Sequence, residues 1–321
     1  MRLALGLSCG LWVAWAQAAT WVYATNNSEN GFVTVISHAT QAVVATLNVG
    51  SHPTRIIASP DGTRVYVSNL NSDTVSVLDT SSHTVIATIP VGTRPETMTI
   101  TADGAKLYVI NSGNGTVSVI DTATNTELVQ VPCGAKAKGI QISPDGRWVY
   151  VANTPNGTVT VIDVFSDTVH TTINNVGGGH RVLFNLDSSK AYVATAAGVS
   201  VINVERHSLL KKIATGAKSI DMVLVHSTSR LFVGSVATSD VSVVDTIADE
   251  LLTVVTGTGQ GPWRLAASPD SSTVYAACAR NDKLSIIDVA SMTVRQNASV
   301  GDGAFYVGVS SDGSKVYTTN P

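Results

Sequence analysis

The chain has 321 residues, 20 Lys and Arg against 23 Asp and Glu, and a formal net charge of −3. Charged residues make up only 13% and hydrophobic residues 44%. This excludes a disordered, charge-rich chain and a globally basic nucleic-acid binder. Three cysteines are too few for a disulfide-stapled scaffold.

The first element is an address. Arg2 supplies a short positive region, Leu3 to Trp15 is almost wholly apolar, and Ala16-Gln17-Ala18 is an A-x-A cleavage site. The pattern predicts a secretory signal peptide over 1–18, cleaved after Ala18. Its apolar run is shorter than the ~20 residues that span a bilayer, and no later window replaces it. The mature chain is therefore expected to be secreted or periplasmic, without stable membrane insertion. Gly6-Leu7-Ser8-Cys9-Gly10 matches a hydrolase nucleophile elbow. It lies inside the leader and precedes no strand–helix unit, so it carries no catalytic reading.

Residues 19–321 read as one domain built from one repeat. An aromatic recurs at Tyr23, Tyr66, Tyr108, Tyr150, Tyr192, Phe232, Tyr275 and Tyr317, at intervals of 40 to 43 residues. Unit two shows the grammar: Val65-Tyr66-Val67-Ser68-Asn69, then Thr74 to Asp79, then Val85 to Ile89, then Val91-Gly92. A fourth run, Ile56-Ile57-Ala58, leads into Ser59-Pro60-Asp61-Gly62. Each run is short, alternates with period two and favours Val, Ile, Thr and Tyr, which are strand signals. Pro-Asp-Gly is turn chemistry: Pro presets φ, Asp bonds locally and Gly tolerates positive φ. Nothing reads as an amphipathic helix. Four strands per ~40–45 residues, repeated, predict an all-β propeller.

The runs Tyr108-Val109-Ile110-Asn111, Val149-Tyr150-Val151-Ala152-Asn153, Thr116 to Thr122 and Ser143-Pro144-Asp145-Gly146 resemble those of the YVTN-repeat, YncE-like seven-bladed β-propellers. The resemblance runs over roughly residues 21–320. It implies four-stranded antiparallel blades in which the run before Ser-Pro-Asp-Gly is innermost and the Tyr run second. Unit five departs from the pattern, with a clipped Ala196-Ala197-Gly198 loop and an exit, Val225-His226-Ser227, that lacks Pro-Asp-Gly. The mature chain begins on a second strand, Trp21–Thr25. Its missing inner neighbour is expected to come from Phe305–Ser310, so that the N- and C-terminal strands share the closing blade and remove an exposed edge. Val316–Asn320 is then surplus and is expected at the margin.

Cys133 and Cys278 fall about three blades apart, beyond the ~7 Å reach of a disulfide, and are predicted to be free packing thiols. No metal, haem-attachment or nucleotide motif is present, and no cofactor is expected. The series Asp79, Asp121, Asp163, Asp245 and Asp288 reads as hairpin corners, and Asn26, Asn69, Asn111 and Asn153 as loop caps.

One feature exceeds these readings. Propellers bind where the loops entering the innermost strands converge. Aligned over six columns, those seven loops carry the cations Arg55, Arg94, Lys136, Lys138, Arg181, Lys218 and Arg264 against the acids Glu96, Asp221 and Asp302. His52, His180, Trp263, Phe305 and Tyr306 lie in the same loops. A basic mouth on an acidic body would focus anions. The expected function is a non-enzymatic binding module or scaffold, a monomer. Its partner would be an anionic small molecule, an acidic protein surface or single-stranded nucleic acid; the resemblance to YncE-like propellers implies the last. The alternative is an enzyme of lactonase or lyase type, or a redox-associated subunit. His180 would then be the base, Arg181 the oxyanion support and Asp221 the orienting group.

Overall fold

A computed structural model describes residues 13–15 and 21–319. The predicted repeat forms seven four-stranded antiparallel sheets in succession, followed by a two-stranded sheet. The second sheet is representative: Pro53–Ala58, Arg64–Asn69, Thr74–Asp79 and Thr84–Pro90 pair in chain order. The one helical turn among the described residues is a 3₁₀ turn, His226–Thr228. It stands where unit five lacks Pro-Asp-Gly.

The chain divides into two compact units. One holds 13–15, 21–155 and 160–171, and thus the first four sheets save a few residues of the fourth. The other holds 156–159 and 172–319, with sheets five to seven and the two-stranded sheet.

Within each unit the core lies between consecutive sheets. Tyr23, Val33 and Val35 of the first sheet pack with Ile56, Val65 and Val67 of the second. In the other unit Tyr192, Val199 and Val201 of the fifth pack with Met222, Leu231 and Val233 of the sixth. Second and third strands are covered on both faces, so the polar half of their period-two pattern is buried too. Ser76, Ser118, Ser200, Ser242 and Ser285 are all buried. Each hydroxyl is satisfied: Ser76 and Ser118 accept from the buried amides of Asn69 and Asn111 at 2.9 and 2.7 Å. Ser200 donates to the Val176 carbonyl at 2.6 Å. Sandwiching thus converts what reads as a solvent face into a buried hydroxyl column, with hydrogen bonds preventing the cost of unpaired polar groups.

The turns follow the sequence reading. Ser59 donates to Asp61 Oδ1 at 2.5 Å, and Asp61 accepts the Thr63 amide at 3.0 Å. At the hairpin corners Asp79 accepts the amides of Ser81 and Ser82, and Asp121 those of Ala123 and Thr124. These bonds hold the carboxyl groups of Asp61, Asp103, Asp121 and Asp163 below the usual range, and those of Asp79 and Asp288 at about 2. The Asp series is therefore corner chemistry. A residue at the end of each corner takes the left-handed conformation: Gln41, His83, Asn125, Asp167, His207, Asp249 and Met292, with φ between 45 and 60°.

Closure differs from expectation. Trp21–Asn26 does pair on both edges, with Phe32–Ser37 on one side. On the other side it pairs with Val13–Trp15, inside the expected leader, and not with Phe305–Ser310. Tyr306–Val309 instead forms its own ladder with Val316–Thr319, so the terminal run is paired and does not hang at the margin. A partner a few residues away in sequence costs far less loop-closure entropy than one nearly a whole chain away. The predicted cleavage point after Ala18 and the Cys9 thiol lie outside the described residues. Cys133 and Cys278 are free and buried, as predicted. Burial pushes the Cys133 thiol up to about 12.

Candidate functional site

The predicted site residues sit at the entry of the innermost strands, and two backbone devices place them. A left-handed residue leads into each of these strands, directly at His52, Arg94, Lys136, Gly178, Lys218 and Gly261 and three residues ahead of Tyr306 at Gly303, with φ between 52 and 69°. Glycine in three of the seven positions marks the conformational demand. Arg94, Lys136 and Lys218 meet it as exposed residues of the loop. Next comes a β-bulge. Register shifts between Pro53 and Arg55, Ala137 and Gly139, Gly179 and Arg181, Ser219 and Asp221, and Pro262 and Arg264. A bulge sets two residues against one and re-aims the side chains beside it. Thr54, Lys138, His180 and Trp263 are inserted residues of this kind, followed by Arg55, Gly139, Arg181 and Arg264.

In the first unit two of the predicted cations bond within the inner strands themselves. Arg55 donates from Nη1 to the Thr54 carbonyl on its own strand at 3.3 Å. Lys138 pairs with Glu96, donating to both carboxylate oxygens at 2.8 Å. This pair neutralises Lys138 locally and leaves the net excess of the loops unchanged. Neighbouring inner strands are tied by hydroxyls: Thr54 donates to the Pro95 carbonyl and Thr97 to that of Lys138.

The second unit brings its predicted residues together. Asp221, 3% exposed, accepts the Leu265 amide on Oδ2 at 2.9 Å, and its Oδ1 lies 3.6 Å from Arg181 Nε. The buried Asp221 carboxylate, held by the Leu265 amide, thus faces Arg181 at ion-pair distance. On the next pair of strands the Arg264 guanidinium carbon lies 5.1 Å from the centroid of the Tyr306 ring. Trp263 and Phe305 meet at 4.8 Å between centroids, and Phe305 and Tyr306 at 5.9 Å. His180, Arg181, Trp263, Arg264, Phe305 and Tyr306 are all half-buried.

No group of three His, Cys, Asp or Glu among the described residues is placed to hold a metal ion. A recess in the first unit is lined by Ser59, Asp61, Arg64, Asp103 and Thr122. Asp61 and Asp103 are bound into their own turns there, by Ser59 and Thr63 and by Thr101 and Ala105.

A family model described as YNCE-like beta-propeller matches residues 95–254. Taken with a second match, this supports a YncE-like β-propeller family for the chain. A second model, described as lactonase, 7-bladed beta-propeller, matches residues 20–131 of this YncE-like chain. With seven four-stranded sheets in place, the fold is an all-β propeller. Among solved structures it is similar to Kuenenia stuttgartiensis hydrazine synthase, at 22% identity and a TM-score of 0.71, over 90% of this chain and 98% of that one. It is also similar to the dihydro-heme d1 dehydrogenase NirN, at 16% identity and a TM-score of 0.77, over 92% of this chain and 67% of that one. At these identities the likeness is one of fold. No curated protein matches the chain. No helix among the described residues is long and apolar enough to cross a membrane.

The sequence reading missed the links between sheets at the opposite strand ends. Tyr108 and Lys106 both bond Asp167 in the next sheet, and Lys190 bonds Asp249 in the same way. The signal was present, since a cation stands two residues before the aromatic in Arg64, Lys106, Lys190 and Arg230.

Proposed function

We propose that this YncE-like propeller is an exported, non-enzymatic binding protein that takes an anionic ligand at its inner-strand loops. The observation that carries the reading is the presence of two arginines in the second unit, Arg181 paired with buried Asp221 and Arg264 over the Tyr306 ring. A guanidinium fixed beforehand loses less freedom on meeting a carboxylate or phosphate than a mobile one. Arg55 occupies the equivalent position after the bulge in the first unit. The A-x-A leader supports export. An anionic small molecule, an acidic protein surface and a single-stranded nucleic acid all offer the required charge.

The test is retention on a heparin column across a salt gradient. The protein should be retained at low salt and released as salt rises, because screening weakens exposed ionic contacts. Changing Arg55, Arg181 and Arg264 together to Ala should abolish most of that retention. Unchanged retention in the triple variant refutes the reading.

An enzymatic role draws its support from the lactonase family model over residues 20–131. His180, Arg181 and Asp221 would carry it. Asp221 is bonded to Leu265 and faces Arg181, which favours an anchoring over a catalytic role. Lactone hydrolysis by the purified chain that disappears in His180→Ala would favour the enzyme.

A further inference from the structure

We infer that the ligand of the second unit is a planar aromatic anion, a flat ring system carrying a carboxylate or phosphate, bound by Trp263, Arg264, Phe305 and Tyr306. This deepens the anion-binding reading above and rests on it. Three aromatic side chains gather here in a chain whose aromatic content is only 6%. The gathering follows from the backbone. In a regular strand, neighbouring residues face opposite ways. The bulge between Pro262 and Arg264 leaves Trp263 without an opposite partner in the ladder, and a bulge re-aims the adjoining side chains. The consecutive pair Trp263-Arg264 therefore meets the consecutive pair Phe305-Tyr306, ring to ring and guanidinium to ring.

The two kinds of contact divide the work of recognition. The Arg264 guanidinium carbon lies over the Tyr306 ring and its Nη1 donates to the Trp263 carbonyl at 3.3 Å, while a guanidinium bonds carboxylate and phosphate through its in-plane N–H groups. Arg181, paired with Asp221, supplies a second cation in the same unit. The rings are half-buried and tilted against one another, at 46 and 52° between planes. Trp263 and Phe305 offer a rigid surface on which a ligand ring stacks at little conformational cost. The equivalent inserted residues in the other sheets include Thr54, Lys138 and His180. The aromatic preference thus belongs to this part of the repeat alone.

The experiment is calorimetric titration of the full chain with naphthalene-2,6-dicarboxylate, with adipate as an aliphatic dianion, and with 2-naphthalenemethanol as a neutral ring. The aromatic dianion should bind about tenfold more tightly than adipate, the size expected from one good ring–ring contact. In Trp263→Leu that ratio should fall to near one. If Trp263→Leu does not fold, Phe305→Leu reads the same ratio. Equal affinity for the two dianions in the unaltered protein overturns the aromatic inference and leaves the anion reading standing. A preference that survives both substitutions overturns the assignment to these residues. Neutral naphthalenemethanol binding as tightly as the dianion overturns the anion reading, and binding of none of the three overturns both.

Discussion

Tyr108 donates its phenol hydrogen to Asp167 Oδ1 at 2.7 Å, joining the second strand of the third sheet to a corner of the fourth. The other oxygen of Asp167 accepts Lys106 Nζ at 2.6 Å, and the same ammonium donates to the Val164 carbonyl at 2.9 Å. Tyr192 makes the neutral version, donating to the Thr246 carbonyl at 3.2 Å. Tyr108→Phe should lower unfolding free energy by about 1.5–3 kcal/mol, the range for a bond to a charged acceptor, and Tyr192→Phe by about 0.5–1.5 kcal/mol. Urea denaturation of the two variants measures both. A larger loss for Tyr192→Phe would contradict the proposed ranking.

Alkaline pH should weaken the fold before acid does. Burial raises the phenol pKa of Tyr23 to about 12, with the Asp79 charge adding to it. Burial also raises Tyr66, Tyr150 and Tyr192, and Tyr108 is raised by burial and then by its bond to Asp167. Above the ordinary phenol value of about 10 the folded state holds more protons than the unfolded one, so stability falls as pH rises. The contribution is complete below about pH 10 and is lost through about pH 12. The corner carboxylates act in the opposite direction. Asp79 and Asp288, held at about 2, contribute stability above the usual carboxylate range that disappears as pH falls toward 2. Urea midpoints should hold from about pH 6 to 9 and decline steadily toward pH 11.5. A flat profile to pH 11.5 would contradict the buried-phenol account.

Gly198 closes the clipped loop of the fifth sheet with φ of +138°, and a Cβ there would lie 2.1 Å from the Ile213 carbonyl oxygen. That oxygen is backbone, so it cannot swing aside as a side chain would. Gly198→Ala should cost at least about 2–3 kcal/mol, combining an unfavourable φ with overpacking. Gly146→Ala is the comparison, since φ there is +73° and a Cβ would meet nothing within 4 Å. It should cost about 1 kcal/mol, the conformational strain alone. Thermal denaturation of the pair separates the two contributions, and equal losses would refute the steric part.

The repeat, its strand order and its turns were legible because each rests on local chemistry. Val-Tyr-Val runs, Ser-Pro-Asp-Gly and the corner Asp carry their own hydrogen-bond partners within a few residues, as Ser59 and Asp61 do. Three things were hidden. Ser118 looks solvent-facing by alternation and is buried, because only the packing of one sheet on the next decides the fate of the second face. Lys138 counts as a free cation in a charge tally, yet it pairs with Glu96 from the neighbouring inner strand, 42 positions away. The Val13–Trp15 pairing replaced the expected C-terminal strand because leader grammar describes an address and says nothing about the strand propensity of the same residues. The pairing of Trp263-Arg264 with Phe305-Tyr306 lay between. The residues were visible, but their meeting depends on a bulge that no composition reveals.

The outermost strands carry one more device. Val44, Ile86, Leu128, Leu210 and Leu252 are each the extra residue of a bulge on the free edge of a sheet, and each is about half exposed. A straight aliphatic edge would invite another chain to add a strand, and many proteins deter this with lysines. Here a kink interrupts the row of unpaired amides and carbonyls instead. The kinks break the regularity of these margins and so lower the invitation to strand addition that so repetitive and aliphatic an edge would otherwise extend.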